Sequence, residues 1–171
     1  MMEFNVYREQ IRNRSELENF ISMCWNTDKI KYRGGYGVIM RSVESIVDGF
    51  EMTHRTFSKN ISLLVHCFSI AFDQGMSEDY VMNVAEQVKS YLLQIYQLIY
   101  LITERADGRI EVVFILNSVS YATGKNFFDN NKAYILLREK LKEITGIMCS
   151  IKFGENVLFK ADESNMNCYV R

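Results

Sequence analysis

Residues 96–117 read YQLIYLITERADGRIEVVFILN, and this stretch decides the fold. Tyr96 to Thr103 is rich in aromatic and β-branched side chains, the composition of a strand. Asp107-Gly108 then supplies the pair that accepts the backbone of a tight hairpin turn. Arg109 to Asn117 is a second strand of the same character. Side chains alternate across a strand, so Ile110, Val112, Phe114 and Leu116 share one face. Glu111, Val113, Ile115 and Asn117 share the other. The first set is the better candidate for packing on helices. Val113 and Ile115 then need their own cover, from a C-terminal hairpin or a partner chain.

Outward from this hairpin, Ile61 to Phe72 is a strand and Asp73-Gln74-Gly75 a turn. Ser77 caps a helix whose Val81, Val84, Ala85, Val88 and Leu92 recur at helical spacing. Asn130 or Asn131 opens another, through Ala133, Leu136, Leu137, Leu141 and Ile144, and Gly146 stops it. Ile147–Phe153 and Asn156–Lys160, joined by Gly154-Glu155, form a final hairpin. Toward the N-terminus, Phe4 to Tyr7 is a short strand. Ser15 with Glu18 makes a capping box for a helix through Leu17, Phe20, Ile21 and Cys24. Residues 26–37 are a polar, glycine-rich loop, and Ser42 begins a helix on Val43, Ile46, Val47 and Phe50 that runs to about Lys59. Hairpins beside helical crossovers predict an α+β two-layer sandwich, a mainly antiparallel sheet with helices on one face. Residues 1–160 read as one domain and 161–171 as a frayed tail.

The chain's 171 residues suffice for one core. Its net charge of −1 excludes a uniformly basic nucleic-acid clamp. No apolar run approaches the ~18 residues of a membrane span, and the N-terminus does not read as a signal peptide. The expectation is a cytoplasmic protein with no membrane partner. Its four scattered cysteines are reduced thiols on this reading. The triplets at Asn13 and Asn60 are coincidences without export. Only two histidines occur, His54 and His66. A site built on three histidines is therefore arithmetically impossible.

The segment Phe114-Ile115-Leu116-Asn117-Ser118-Val119-Ser120-Tyr121-Ala122-Thr123-Gly124-Lys125, then Phe127-Phe128-Asp129-Asn130 and Leu137-Arg138-Glu139, strongly resembles mobilisation relaxases. These are the nicking enzymes of mobilisable plasmids and conjugative elements. Asn26-Thr27-Asp28-Lys29 is similar to the family's Asn-x-x-Lys motif, Thr53 to Lys59 to the end of its second helix, and Phe72-Asp73-Gln74-Gly75 to its Ser-Phe-x-x-Gly turn. The resemblance spans roughly Phe4 to Gly146. It implies a palm fold in which a tyrosine attacks a DNA phosphodiester beside a histidine-held metal. Carried over residue by residue, the metal pair falls on Glu111 and Val113, a further histidine on Glu104 and another on Arg109. The nucleophile falls on Met23. Every position that should carry the chemistry is replaced.

This predicts no catalytic residues, no metal and no cofactor, in a degenerate relaxase-like protein of a bacterial mobile element. Binding of single-stranded or hairpin DNA is the retained property, through Lys29, Lys31, Arg33, Tyr36, Asn117 and Lys125, with charges on phosphates and rings under bases. Tyr32 and Tyr36 read as packing or stacking groups, not substitute nucleophiles. His54 reads as solvated on a polar helix end and His66 as a core or strand-end residue. Two alternatives stand beside this. One is a protein-interaction module whose former active-site face joins a second copy or an accessory protein. The other is a divergent nickase holding a divalent cation on Glu104 and Glu111.

Overall fold

The computed structural model describes residues 1–8, 10–57, 62–92, 95–127 and 130–155. Ten elements follow one another: β1 (Glu3–Tyr7), α1 (Arg14–Trp25), β2 (Ile30–Tyr36), α2 (Val43–Thr56), β3 (Val65–Ala71), α3 (Glu78–Leu92), β4 (Leu98–Glu104), β5 (Ile110–Asn117), α4 (Asn131–Thr145) and β6 (Ser150–Glu155). The six strands form one mixed sheet in the order β2-β4-β5-β3-β1-β6. All its pairings are antiparallel except that of β1 with β6.

The α+β, mainly antiparallel expectation holds, and β4 and β5 form the hairpin read from residues 96–117. Gly108 closes it at φ 79°, where a side chain would be strained. The strand alternation sorts the core into two clusters. Phe68, Ile70, Leu98, Tyr100, Ile102, Val112, Phe114 and Leu116 pack beneath α3 and α4. Cys67, Ile99, Leu101, Val113 and Ile115 pack beneath α1 and α2. Helices on one face is therefore true of α3 and α4 but incomplete: α1 and α2 occupy the other face. They provide the cover that Val113 and Ile115 needed, in place of a C-terminal hairpin or a partner chain.

Local chemistry explains the helix ends. Ser42 accepts from the Ser45 amide while the Ser45 hydroxyl accepts from the Ser42 amide, a closed capping box for α2. Ser77 accepts from the Tyr80 amide at the start of α3, and Asn130 from the Ala133 amide at the start of α4. Gly146 ends α4 at φ 71°. In α1 the cap is Asn13, accepting from the Glu16 amide, and not Ser15. Asn13 lies two residues earlier in the same polar run, and either residue type satisfies an orphan N–H. On α4, Leu136 faces solvent instead of joining the buried stripe of Tyr134, Leu137 and Leu141.

Two further corrections concern β-structure. Residues 30–36 form the edge strand β2, not a loop. An edge tolerates the charges and glycines that disguise this strand in the sequence. Gly154 and Glu155 belong to β6, where the register with β1 shifts, and do not form a turn there. The proposed returning strand at 156–160 and the tail at 161–171 lie outside the described residues, as do Lys59, Asn60 and Ile61.

Candidate functional site

The face carrying Glu111, Val113 and Asn117 divides into three zones along the strands. In the middle, Val113 is 1% exposed and packs with Leu17, Phe20, Ile46 and Phe50. Met23, on the last turns of α1, is half-buried against the same cluster. Neither a valine nor a methionine here offers an ionisable oxygen or an imidazole.

At the β1 end of this face lies a polar cluster. Glu111 Oε1 accepts from the Ser69 hydroxyl at 2.5 Å and from the Tyr7 hydroxyl at 3.3 Å, and those two hydroxyls are 3.1 Å apart. Asn5 Nδ2 donates to Ser69 at 3.5 Å, and the Arg105 guanidinium stands 3.7 Å from Glu111. Beyond them Arg109 and Lys152 each lie 3.4 Å from Glu3. Burial pushes the Glu3 carboxyl up, but Arg109 and Lys152 outweigh it and leave it below its ordinary value. The cations of this zone are matched by carboxylates.

At the other end Asn117, fully buried, is a hub. Its Nδ2 donates to the Phe50 carbonyl at 3.2 Å and to Gln97 Oε1 at 2.8 Å. Its Oδ1 accepts from the Val119 amide and faces His54 Nε2, which therefore carries the imidazole proton. Gln97 accepts from Thr53 at 2.7 Å and donates to the Gly37 and Gly49 carbonyls. His54 is 7% exposed, which corrects the solvated reading, and burial pushes its pKa down. Asn117 is likewise corrected: a fully buried amide with these partners does not reach DNA. Only the bare polarity of a strand-ending asparagine hinted at this hub. His66 behaves as a strand-end residue, its ring 5.2 Å from that of Phe127.

Glu104 and Glu111 cannot share a cation. Glu111 pairs with Thr103, and Glu104 with Ile110, so the two carboxylates project from opposite faces of the hairpin. Glu104 instead lies 3.2 Å from Lys31. Among the described residues, no group of three His, Cys, Asp or Glu side chains is placed to hold a metal ion.

The remaining expected contacts gather along β2. Lys29 is exposed just before it, and Lys31, Arg33 and Tyr36 are exposed on it. Lys31 lies 2.6 Å from Glu78, and its bonds to Glu78 and then Glu104 hold its pKa above the ordinary value. Arg33 stacks on the Trp25 ring at 5.1 Å and donates to the Trp25 carbonyl. Two of the three basic groups are thus already engaged within the fold. Lys125 is exposed in the turn that follows β5, near Tyr121, a residue absent from the sequence-based set. No described helix is long and apolar enough to cross a membrane. Comparison with family models, with curated proteins and with solved structures finds no match.

Proposed function

We propose that this chain is a relaxase-like domain that binds nucleic acid without cutting it, serving a mobile element as an accessory or competitor at a transfer origin. One observation carries the loss of cleavage: the positions matched to the nucleophile and the metal pair are used for packing and internal polar contacts. A tyrosine hydroxyl, with a pKa near 10, attacks a phosphodiester only when a cation polarises it. Met23 has no hydroxyl. Val113 has no lone pair and is sealed beneath α1 and α2. Glu111 spends Oε1 on Ser69 and Tyr7. The resemblance over residues 114–139 supports the relaxase-like part of the reading, and the exposed lysines and tyrosines along β2 support binding.

The test is a single-stranded transfer-origin oligonucleotide incubated with the protein and magnesium or manganese. The expected result is salt-sensitive binding with no cleaved strand and no covalent adduct. Metal-dependent nicking would overturn the reading. A second reading, the protein-interaction module, draws on the engagement of Lys31 by Glu78 and Glu104 and of Arg33 by Trp25. It predicts no binding of DNA even at low salt.

A further inference from the structure

Tyr32 and Tyr36 lie on the β2 edge of the sheet, on the α3/α4 side, and Tyr121 packs against Tyr36 there. Tyr32 pairs with Ile102 and Tyr36 with Leu98, so both rings project from the face that carries Leu98, Tyr100 and Ile102. Three residues lie between them, a span of about 13 Å along the strand. Between them is Gly34, where a Cβ would lie 2.3 Å from the Tyr100 ring. Tyr100 is itself buried and lies 5.8 Å from the Tyr32 ring, so an aromatic floor replaces a side chain at that point.

Tyr121 arrives from the far side of β4, its ring 6.3 Å from that of Tyr36. Its turn is firmly built. The Ser120 hydroxyl donates to the Ile95 carbonyl and accepts from the Ala122 and Thr123 amides. Gly124, at φ 67°, sits where any Cβ would strike the Phe57 ring. Tyr32, Tyr36 and Tyr121 nevertheless remain 43%, 41% and 36% exposed. Lys29 and Lys125 are exposed in the adjoining segments, and Lys31, on β2 itself, is held by Glu78 and Glu104. Solvent-facing rings along an exposed strand edge match what the faces of unpaired bases require.

We infer that an unpaired stretch of nucleic acid docks along β2 with its bases stacked on Tyr32, Tyr36 and Tyr121. This rests on the nucleic-acid reading above and narrows it, since a duplex hides the base faces that such rings need. Arg33 projects to the opposite face with Trp25 and is not part of this platform.

Fluorescence anisotropy with a labelled oligothymidine at low salt tests it. Replacing Tyr32 or Tyr36 by alanine should weaken binding about fivefold or more, with the salt dependence unchanged. Tyr36→Phe keeps the ring and should bind like the parent. Tyr36→Leu keeps apolar bulk without the ring and should weaken binding even if the alanine variants fail to fold. A labelled duplex should bind more weakly and respond to neither change. Oligothymidine binding that survives loss of all three rings overturns this platform while leaving the nucleic-acid reading standing. No binding of either probe overturns both.

Discussion

On the α3/α4 side of the sheet, three neighbouring strands present Phe68, Phe114 and Tyr100. The first pair stacks at 4.9 Å and the second is 5.8 Å apart. On the α1/α2 side the same strands present Cys67, Ile99, Leu101, Val113 and Ile115, bounded by the Glu111 cluster at one end and the Asn117 hub at the other. One face is held by aromatic volume, the other by modest aliphatics between two polar groups. Volume and hydrogen bonding fail differently when disturbed. The difference also bears on function, because Met23, Glu111 and Val113, the positions matched to the nucleophile and the metal pair, lie toward the second face, where packing and internal polar contacts use them.

The comparison breaks most visibly in core truncation. Phe114→Ala should cost about 3–5 kcal/mol, since it empties a ring-sized volume in a packed stack. Val113→Ala removes far less volume and should cost clearly less. Urea unfolding of the two variants measures the gap. Equal losses would mean that the faces do not differ as described.

Next in size is the hub. Asn117→Ala should cost about 2–3 kcal/mol, although little apolar area is lost, because Gln97, the Val119 amide and His54 are left buried without their partner. A variant as stable as the parent would show that water or neighbouring groups satisfy them. If Asn117 served DNA directly, its loss would instead weaken binding at unchanged stability.

A smaller effect follows from His54. Burial holds its folded-state pKa below the ordinary value, against a weaker opposing pull from Asn117 and Glu51. The unfolded chain therefore takes up the proton first as pH falls below about 6.5. The stability from neutral His54 is complete above that pH and is lost as pH drops through the folded value, by at most about 1.4 kcal/mol per pH unit. His54→Gln should flatten the pH dependence of unfolding between the two values. An identical slope in parent and variant would place the titrating group elsewhere.

Much of this architecture is legible in the sequence, and the exceptions share a cause. Capping at Ser42, Ser77 and Asn130, the stop at Gly146 and the turn at Gly108 are local chemistry, visible without tertiary contacts. The strand β2 is not local. Its Lys31, Arg33 and glycines mask the strand formers Ile30, Tyr32 and Tyr36, and the pairing with β4 is what makes it a strand. His54 reads as exposed because its neighbours in sequence are polar. Its burial is set by Asn117, 63 residues away. The Tyr36–Tyr121 meeting has the same long-range origin.

The smallest expected effect concerns Glu111, and it tests which kind of polar group this face retains. Glu111→Gln keeps an acceptor for Ser69 and Tyr7 and loses only the charge opposite Arg105. That guanidinium is 3.7 Å away with a third of its side chain in water, so the pair contributes little, about 1 kcal/mol or less. The variant should unfold close to the parent in urea, with or without magnesium. A site that held a cation through Glu111 would behave otherwise: the metal would raise the parent's stability and the variant would lose that gain. Thr103, the residue facing Glu111 across the hairpin, supplies a hydroxyl but no second carboxylate. Metal stabilisation abolished by Glu111→Gln yet kept in Glu104→Gln would therefore demand ligands from β1 or β3. It would turn the cluster of Asn5, Tyr7 and Ser69 from a structural pin into a binding site.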